Sequence, residues 1–542
     1  MRVRIRRLAM KRLNNLTRII RSSDTPSPLA GEGWGEGVAE RFTLSLIKQL
    51  AIRLGCPTTP AKSLVIALPH QGGGDRFLKK GKWAVLAVVL AGCSQMPTYE
   101  RPAAPIPSTW SNTAQIGAKQ VTGKNYFPDP RLQALIKVVL ENNRDLRIAT
   151  ARIAEARALY GIQSADRYPN VNLNASGTAS LIPASVSATG GALRSNRVDV
   201  NASLVSFELD FWGRVSSLNA SAKASYLATE SAQRAFRLSL IADVANAYLS
   251  VLELRERAQL TDETLKGRES IRQLISRRRD AGVSNDLDYL QVEGSYQATL
   301  AEQANLERQQ AAAENLLDFL LGTPVKQIGN LPTGGTLAEQ NIVSNGLDDV
   351  SADVLLQRPD VLAAEQRLIA ANANIGAARA AFFPRISLTS AVGTASRSLS
   401  GLFDANSGAW SFQPALSLPL FDAGRTALNV DVATARKNIA VAEYEKTIQQ
   451  SFREVADLLA AREKLDEQLT AQQANADLQA QRLRLVDARY KAGVANYIEV
   501  LDAQRELYTA QQSTLQIRRT VYASATQLYK ALASEVMSDG TQ

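Results

Sequence analysis

A chain of 542 residues is long enough for several compact domains, yet no Pro/Gly-rich break separates one globule from another, which points to a single elongated body. The net charge of +10 sits at the start: residues 1–92 carry 16 Lys and Arg against 5 Asp and Glu, the remainder 46 against 47, so the body lacks the basic face that nucleic-acid binding needs. The two cysteines, Cys56 and Cys93, and the single histidine, His70, leave everything after residue 93 without either type, which excludes a disulfide framework, a zinc site and histidine-based acid/base chemistry there.

Residues 1–77 hold a low-complexity stretch, Pro26 to Gly37, without a periodic core, and are expected to be an upstream extension from a misplaced start; a genuinely long signal region is the alternative. Residues 78–92 have a basic n-region, Lys79, Lys80 and Lys82, and a short apolar core, a secretory signal too short to span a bilayer stably. It ends in Leu90-Ala91-Gly92-Cys93, which resembles the bacterial lipoprotein box. That resemblance implies that Cys93 is lipidated, and Ser94 after it implies sorting to the outer membrane.

Residues 93–130, rich in Pro, Ser, Thr and Asn, read as an extended tether. Phe127-Pro128-Asp129-Pro130 then caps a helix, and an alanine-rich helix follows from Asn143 until pre-proline sterics stop it at Tyr168-Pro169. A copy of that helix starts at Arg358-Pro359-Asp360 and stops at Phe383-Pro384, 215 residues on. After each proline comes alternation: Val171, Leu173 and Ala175, then Val198 to Leu204 around Gly190-Gly191; in the copy Ile386, Leu388 and Ser390, then Pro414 to Leu420. Both hairpins end in a Gly-Arg signal, Gly213-Arg214 and Gly424-Arg425, now 211 residues apart, so the first hairpin is four residues longer and the difference is expected in its loop.

Proline-free segments with helical periodicity follow, from Arg214 to about Arg279 and from Arg425 to about Tyr490, each roughly 100 Å long as helix. Each ends in a turn with the same core, Gly282-Val283-Ser284-Asn285 and Gly493-Val494-Ala495-Asn496, where glycine permits a left-handed helix end and asparagine caps the next helix. The last helix carries Leu501, Tyr508, Leu515, Tyr522 and Tyr529 every seven residues, a coiled-coil seam. The chain therefore reads as two repeats, residues 131–322 with a hairpin at about 170–210 and residues 358–535 with a hairpin at about 385–421, joined by a connector at 323–357 and closed by a tail at 536–542. About four strands per chain cannot seal a membrane barrel, so several chains must pool them if the strands lie in lipid.

At this point the lipobox, Leu356-Gln357-Arg358-Pro359-Asp360, Ala377-Ala378-Arg379-Ala380-Ala381-Phe382-Phe383-Pro384, Arg489-Tyr490-Lys491-Ala492-Gly493 and Leu501-Asp502-Ala503-Gln504-Arg505 together resemble the outer-membrane factor family of TolC and OprM type, over about Cys93 to Leu532. The resemblance implies a mainly α fold with a small β part: a homotrimer with a shared twelve-stranded outer-membrane barrel and a helical periplasmic tunnel. It also implies tips that meet a periplasmic adaptor protein and an inner-membrane efflux transporter. Carried over from the family pattern, Ile498, Asp502 and Arg505 form a gate; spacings of 4 and 3 put them on one helix face, and an ordinary apolar contact with a surface ion pair is the alternative. Gln291 stands where the first tip would have its Asp, which leaves that tip's part in gating open. Arg489, Gly493, Val494, Asn496, Gly282 and Val283 are candidate adaptor contacts or simply turn geometry, and Phe211, Trp212 and Trp410 mark a membrane-interface belt or, for Trp212, local packing.

The expected function is an outer-membrane exit channel that passively conducts drugs or other small molecules, with no catalytic residue, cofactor, metal or nucleic acid. The exit duct of a protein-secretion system, or a lipid-anchored coiled-coil scaffold without a pore, stays open as an alternative.

Overall fold

The computed structural model describes residues 94–107, 126–188, 190–342 and 352–532. The expectations for residues 1–77, the signal, Cys93 and the 536–542 tail fall outside these residues, as does the middle of the tether.

The first half runs α1 (Pro130–Asn142), α2 (Arg144–Ala165), β1 (Val171–Ile182), β2 (Leu193–Glu208), α3 (Arg214–Asp280) and α4 (Asp286–Leu321). The second runs α5 (Pro359–Ala380), β3 (Arg385–Ser396), β4 (Gly408–Ser417), α6 (Arg425–Lys491) and α7 (Tyr497–Leu532). The repeat is metrical: α2 and α5 have 22 residues each, α3 and α6 have 67, α4 and α7 have 36.

The long helices start and stop by the same local chemistry in both halves. Gly213 and Gly424 take left-handed backbone just ahead of them, and an aspartate satisfies the first free amides: Asp210 accepts from Val215 N and Ser216 N at 3.0 and 2.7 Å, Asp422 from Thr426 N at 2.8 Å. At the far ends Gly282 and Gly493, also left-handed, close the last turns, with Val283 N on Arg278 O at 2.8 Å and Val494 N on Arg489 O at 3.0 Å.

The main core lies midway along the rod, where α1, α3, α4, α7 and the connector meet. Tyr126, Phe127, Leu132, Leu135, Tyr248, Leu249, Leu321, Leu337 and Leu355 are almost wholly buried there. Asp129 is the polar hub of this core. Its Oδ1 accepts from Arg131 N at 2.7 Å, capping α1, while Oδ2 accepts from Tyr248 Oη at 2.9 Å and Gln340 Nε2 at 2.7 Å. Arg358, from the Arg-Pro-Asp start of α5, is likewise buried and donates to Asp360, to Glu454 of α6 at 3.0 Å and to Ala531 O of α7 at 2.9 Å, tying the second half together.

Two expectations are corrected. The length difference between the hairpins is not in the loop: the loops span 183–192 and 397–407, and the extra residues lie in β2, 16 residues against 10 in β4. Part of the excess is a bulge between Leu204 and Phe207, where Ser206 has positive φ and its amide donates to Thr389 Oγ1 at 3.2 Å. The first described part of the tether, residues 94–107, is not free either but packed along α5. Asn372 Nδ2 donates to Pro97 O at 2.8 Å, and any Cβ at Gly376 would meet Met96 Cα at 2.7 Å.

The strap is closed by Glu365, buried on the apolar face of α5, which accepts from Tyr99 Oη at 3.0 Å and Arg101 Nε at 2.7 Å. Burial pushes the Glu365 carboxyl up, but the hydrogen bonds from Arg101 and Tyr99 and the guanidinium charge outweigh it and hold it below its ordinary value. A depressed carboxylate stabilises fully above its unfolded value of about 4.3 and loses that contribution as the pH falls through the folded one. Glu365→Gln is therefore expected to speed amide exchange over residues 94–107 at neutral pH. Wild type is expected to show the same loosening, after correction for intrinsic rates, only in acid; a strap equally protected in the variant would remove Glu365 from this role.

Candidate functional site

The four strands form one antiparallel sheet in the order β1-β2-β3-β4, and its registers sort the side chains onto two unlike faces. One face carries Val171, Leu173, Ala175 and Leu181 of β1, Val198, Val200, Ala202 and Leu204 of β2, Ile386, Leu388 and Val392 of β3, and Trp410, Phe412 and Leu416 of β4. The other carries Asn172, Asn174, Ser176 and Thr178, then Arg197, Asp199, Asn201 and Ser203, then Arg385, Ser387 and Thr389, then Ser411, Gln413 and Ser417. The apolar face is bare: Leu173 is 79% exposed and Trp410 80%. Twelve residues of β1 span about 40 Å, or roughly 28 Å when tilted by 45°, the height of a hydrocarbon core.

Neither β1 nor β4 has a partner on its outer edge among the described residues. Pro414 is therefore placed where proline is tolerated, in an edge strand. Strand β4 begins at Gly408, earlier than the alternation from Pro414 suggests, and ends before Pro419, which moves Trp410 out of the loop and onto the apolar face near the hairpin end. Trp212 packs locally: it stacks on Phe383 at 4.7 Å and donates to Pro384 O at 2.8 Å, joining the bases of the two hairpins, while Phe211 beside it is half-buried.

At the opposite end of the long helices the two tips are near copies. Asn285 and Asn496 cap α4 and α7, accepting from Asp288 N at 2.7 Å and Glu499 N at 3.1 Å. Val283 and Val494 project from the turns, 65% and 66% exposed. Arg489 lies 3.6 Å from Glu499 across its own turn, and Arg278 Nη1 donates to Tyr490 Oη at 3.0 Å, linking the first tip to the second. Ile498 is on the exposed side of α7, and Arg505 Nη2 sits 3.3 Å from Asp502 Oδ1 one turn away. That pairing lies within one chain, so the pair needs no second copy to form. Gln291, the counterpart of Asp502, buries its amide oxygen without a partner among the described residues.

Sequence reasoning missed two charged clusters. Glu365 is signalled by a carboxylate on an otherwise apolar helix stripe, between Val361 and Leu368. Glu208, Arg214 and Arg385 gather where the sheet meets the helices, with Arg214 Nε and Arg385 Nε each 2.6 Å from the carboxylate. Nothing local in the sequence marks that cluster, because Arg385 joins from the other half.

Comparison with known proteins adds a family and a set of relatives. Residues 135–323 and 350–534 match the family model for outer membrane efflux proteins. The toluene efflux pump outer membrane protein TtgI of Pseudomonas putida is 42% identical over 456 residues, 82% of this chain and 96% of that protein. The cation efflux system protein CusC of Escherichia coli K12 is 39% identical over 457 residues, 82% and 97%. Among solved structures, the open state of the Neisseria gonorrhoeae MtrE outer membrane channel superposes with a TM-score of 0.74 at 36% identity, covering 83% of this chain and all of that one.

Proposed function

The chain belongs to the outer membrane efflux protein family, and we propose that three copies of it close into one conduit through which small molecules leave the cell, handed over by a periplasmic adaptor and an inner-membrane transporter. The observation that carries this reading is a missing partner. Helix α5 packs between α3 and α6, with Gly376 against Ser217 of α3, whereas its repeat α2 packs on α3 alone and Gly161, the counterpart of Gly376, has no neighbour within 4 Å among the described residues. The repeat says what belongs there: the α6 of another copy. On α6, Leu428, Val432 and Ile439 are 62%, 48% and 58% exposed, yet their counterparts 211 residues earlier, Ser217, Ser221 and Ala228, are buried on α3.

A heterologous contact of this kind, repeated, closes a ring where its rotation divides a full turn. Two copies would supply eight strands, and a barrel of eight has an interior filled by side chains; three supply twelve and leave a duct. The apolar sheet face then meets lipid and the polar face lines water. Ser94 supports Cys93 as the lipid anchor, since it packs against Gly213 at the base of the sheet. Transport is driven by the partner pump. Relatives named for toluene and for cations fit a generic conduit better than a selective one.

Light scattering of detergent-purified protein is expected to give a trimer, and planar bilayers a steady conductance; a monomer without conductance would overturn the reading. Within the trimer, Ile498, Asp502 and Arg505 narrow the tip, and Arg489, Gly493, Val494, Asn496, Gly282 and Val283 present it to the adaptor. An exposed pair such as Asp502 and Arg505 is worth under about 1 kcal/mol and lies within one copy, so it does not lock one copy to the next. Asp502→Ala with Arg505→Ala is expected to raise single-channel conductance; an unchanged value would remove the gate and leave the channel.

A further inference from the structure

We infer that Arg194, with Asn196 and Ser396 beside it, holds a phosphate group of an outer-leaflet lipid, one site per copy on the outside of the barrel, given that the apolar sheet face meets lipid as proposed above.

Charged side chains are few in the four strands, and all but one are paired. Strand β2 carries Arg194, Arg197, Asp199 and Glu208, β3 carries Arg385, and β1 and β4 carry none. Asp199 holds Arg197, with Nη2 to Oδ1 2.8 Å, and Glu208 holds Arg385, with Nε to Oε2 2.6 Å. The Arg194 side chain is exposed and has no hydrogen-bond or ion-pair partner among the described residues.

Arg194 also differs in the face it occupies. It pairs with Leu181, which places it with Val198, Val200 and Leu204 on the apolar side, whereas Arg197, Asp199, Glu208 and Arg385 lie on the polar side. Among the described strand residues it is the one charge that faces lipid.

Its height explains how a charge is tolerated there. Leu204 pairs with Val171 at the start of β1, and 204 − 194 gives ten residues of strand from that level to Arg194, about 34 Å, or roughly 24 Å at a 45° tilt. An outward apolar band is about 25 Å tall, so with Leu204 at its inner edge Arg194 stands at its outer edge, among headgroups.

No acid of the chain lies within ion-pair distance of Arg194 among the described residues. The loop at 183–192 carries no charge, and the loop at 397–407 carries one of each sign, Arg397 and Asp404. The anion must therefore come from outside the chain, and at this height lipid phosphate is what surrounds it. The planar guanidinium fork matches phosphate with two parallel N–H···O bonds. Asn196 lies one step inward on the same face and Ser396, paired with Val198, beside it on β3. Ser396 Oγ accepts from Ser398 N at 3.3 Å, which leaves its own proton free to donate.

The test is native mass spectrometry of the purified trimer, stripped of lipid in detergent and mixed with a bis-phosphorylated glycolipid or with the same lipid after its phosphates are removed. Wild type is expected to retain the phosphorylated lipid, up to one molecule per copy, and to lose the dephosphorylated one under the same activation. Arg194→Gln is expected to lower retention about tenfold or more and Arg194→Lys to lower it less. The neutral double change Arg197→Gln with Asp199→Asn, on the duct side, is expected to leave it unchanged. Because the Arg194 side chain makes no polar contact within the chain, the glutamine variant is expected to fold; should it fail, the two lipids compared on wild type still decide. Equal retention of both lipids, or unchanged retention by Arg194→Gln, overturns the site while leaving the conduit standing. Release of the lipid by an equal concentration of inorganic phosphate would make the free ion the ligand and overturns the lipid assignment as well. A protein that stays monomeric overturns the conduit, and the site with it.

Discussion

An arginine in place of Phe412 is expected to stop the protein from assembling in the outer membrane, while an arginine in place of Ser411, one residue earlier, is expected to be tolerated. Phe412 pairs with Ser390 midway along the sheet, on the face that also carries Trp410, Val392 and Leu416; Ser411 pairs with Ala391 on the polar face. An arginine facing lipid at mid-depth costs about 2–4 kcal/mol in a barrel, and three copies bring the cost to roughly 6–12 kcal/mol per assembly, before the lost phenyl contacts are counted. On the duct side the same guanidinium stays hydrated and costs little beyond crowding. The amount of heat-modifiable trimer in outer-membrane fractions reads the difference directly. The reverse pattern would mean that the faces are assigned the wrong way round. Equal loss in both variants would mean that the strand does not separate lipid from water at all.

What made the fold legible was duplication: the boundaries of the two long helices are signalled twice. The expected long helices begin at Arg214 and Arg425 and end within a residue or so of Asp280 and Lys491, because Gly213, Gly424, Gly282 and Gly493 are needed for backbone that other residues rarely adopt. Strand β4 was less legible, since Trp410 and Phe412 alternate correctly but sit beside the glycines of a loop. The seven-residue stripe on α7 was legible only in part. Tyr529 is buried, whereas Leu501, Tyr508, Leu515 and Tyr522 are half-buried and the closest packing falls on Val500, Ala503 and Ala510. Helix α7 packs on both α6 and α3, so it has two seams, and small residues occupy the closest approach. Least legible were contacts between distant parts of the chain. Glu365 and Arg101 are 264 residues apart, and Arg385 meets Glu208 across the repeat; periodicity carries no information about either.

The repeat also supplies a distance test for contacts between copies. In the chain itself, a Cβ built on Gly376 would lie 2.6 Å from Ser217 Oγ, so the two backbones approach as closely as side chains allow. Shifting each position to its counterpart turns this contact into one between Gly161 of one copy and Leu428 of the next. Cysteines there would have Cβ atoms near the spacing of about 3.8 Å that a disulfide needs. Gly161→Cys combined with Leu428→Cys is therefore expected to give covalent dimers and trimers on mild oxidation in the membrane, reversed by reductant, with neither single variant doing so. The product distribution counts the copies, because a closed ring of three stops at trimer, whereas an open chain continues upward. Failure to cross-link in a protein that still forms trimers would break the equivalence of α2 with α5, and with it the step that assigns α6 of a second copy to the bare side of α2. A ladder beyond three would keep that equivalence and discard the twelve-stranded barrel.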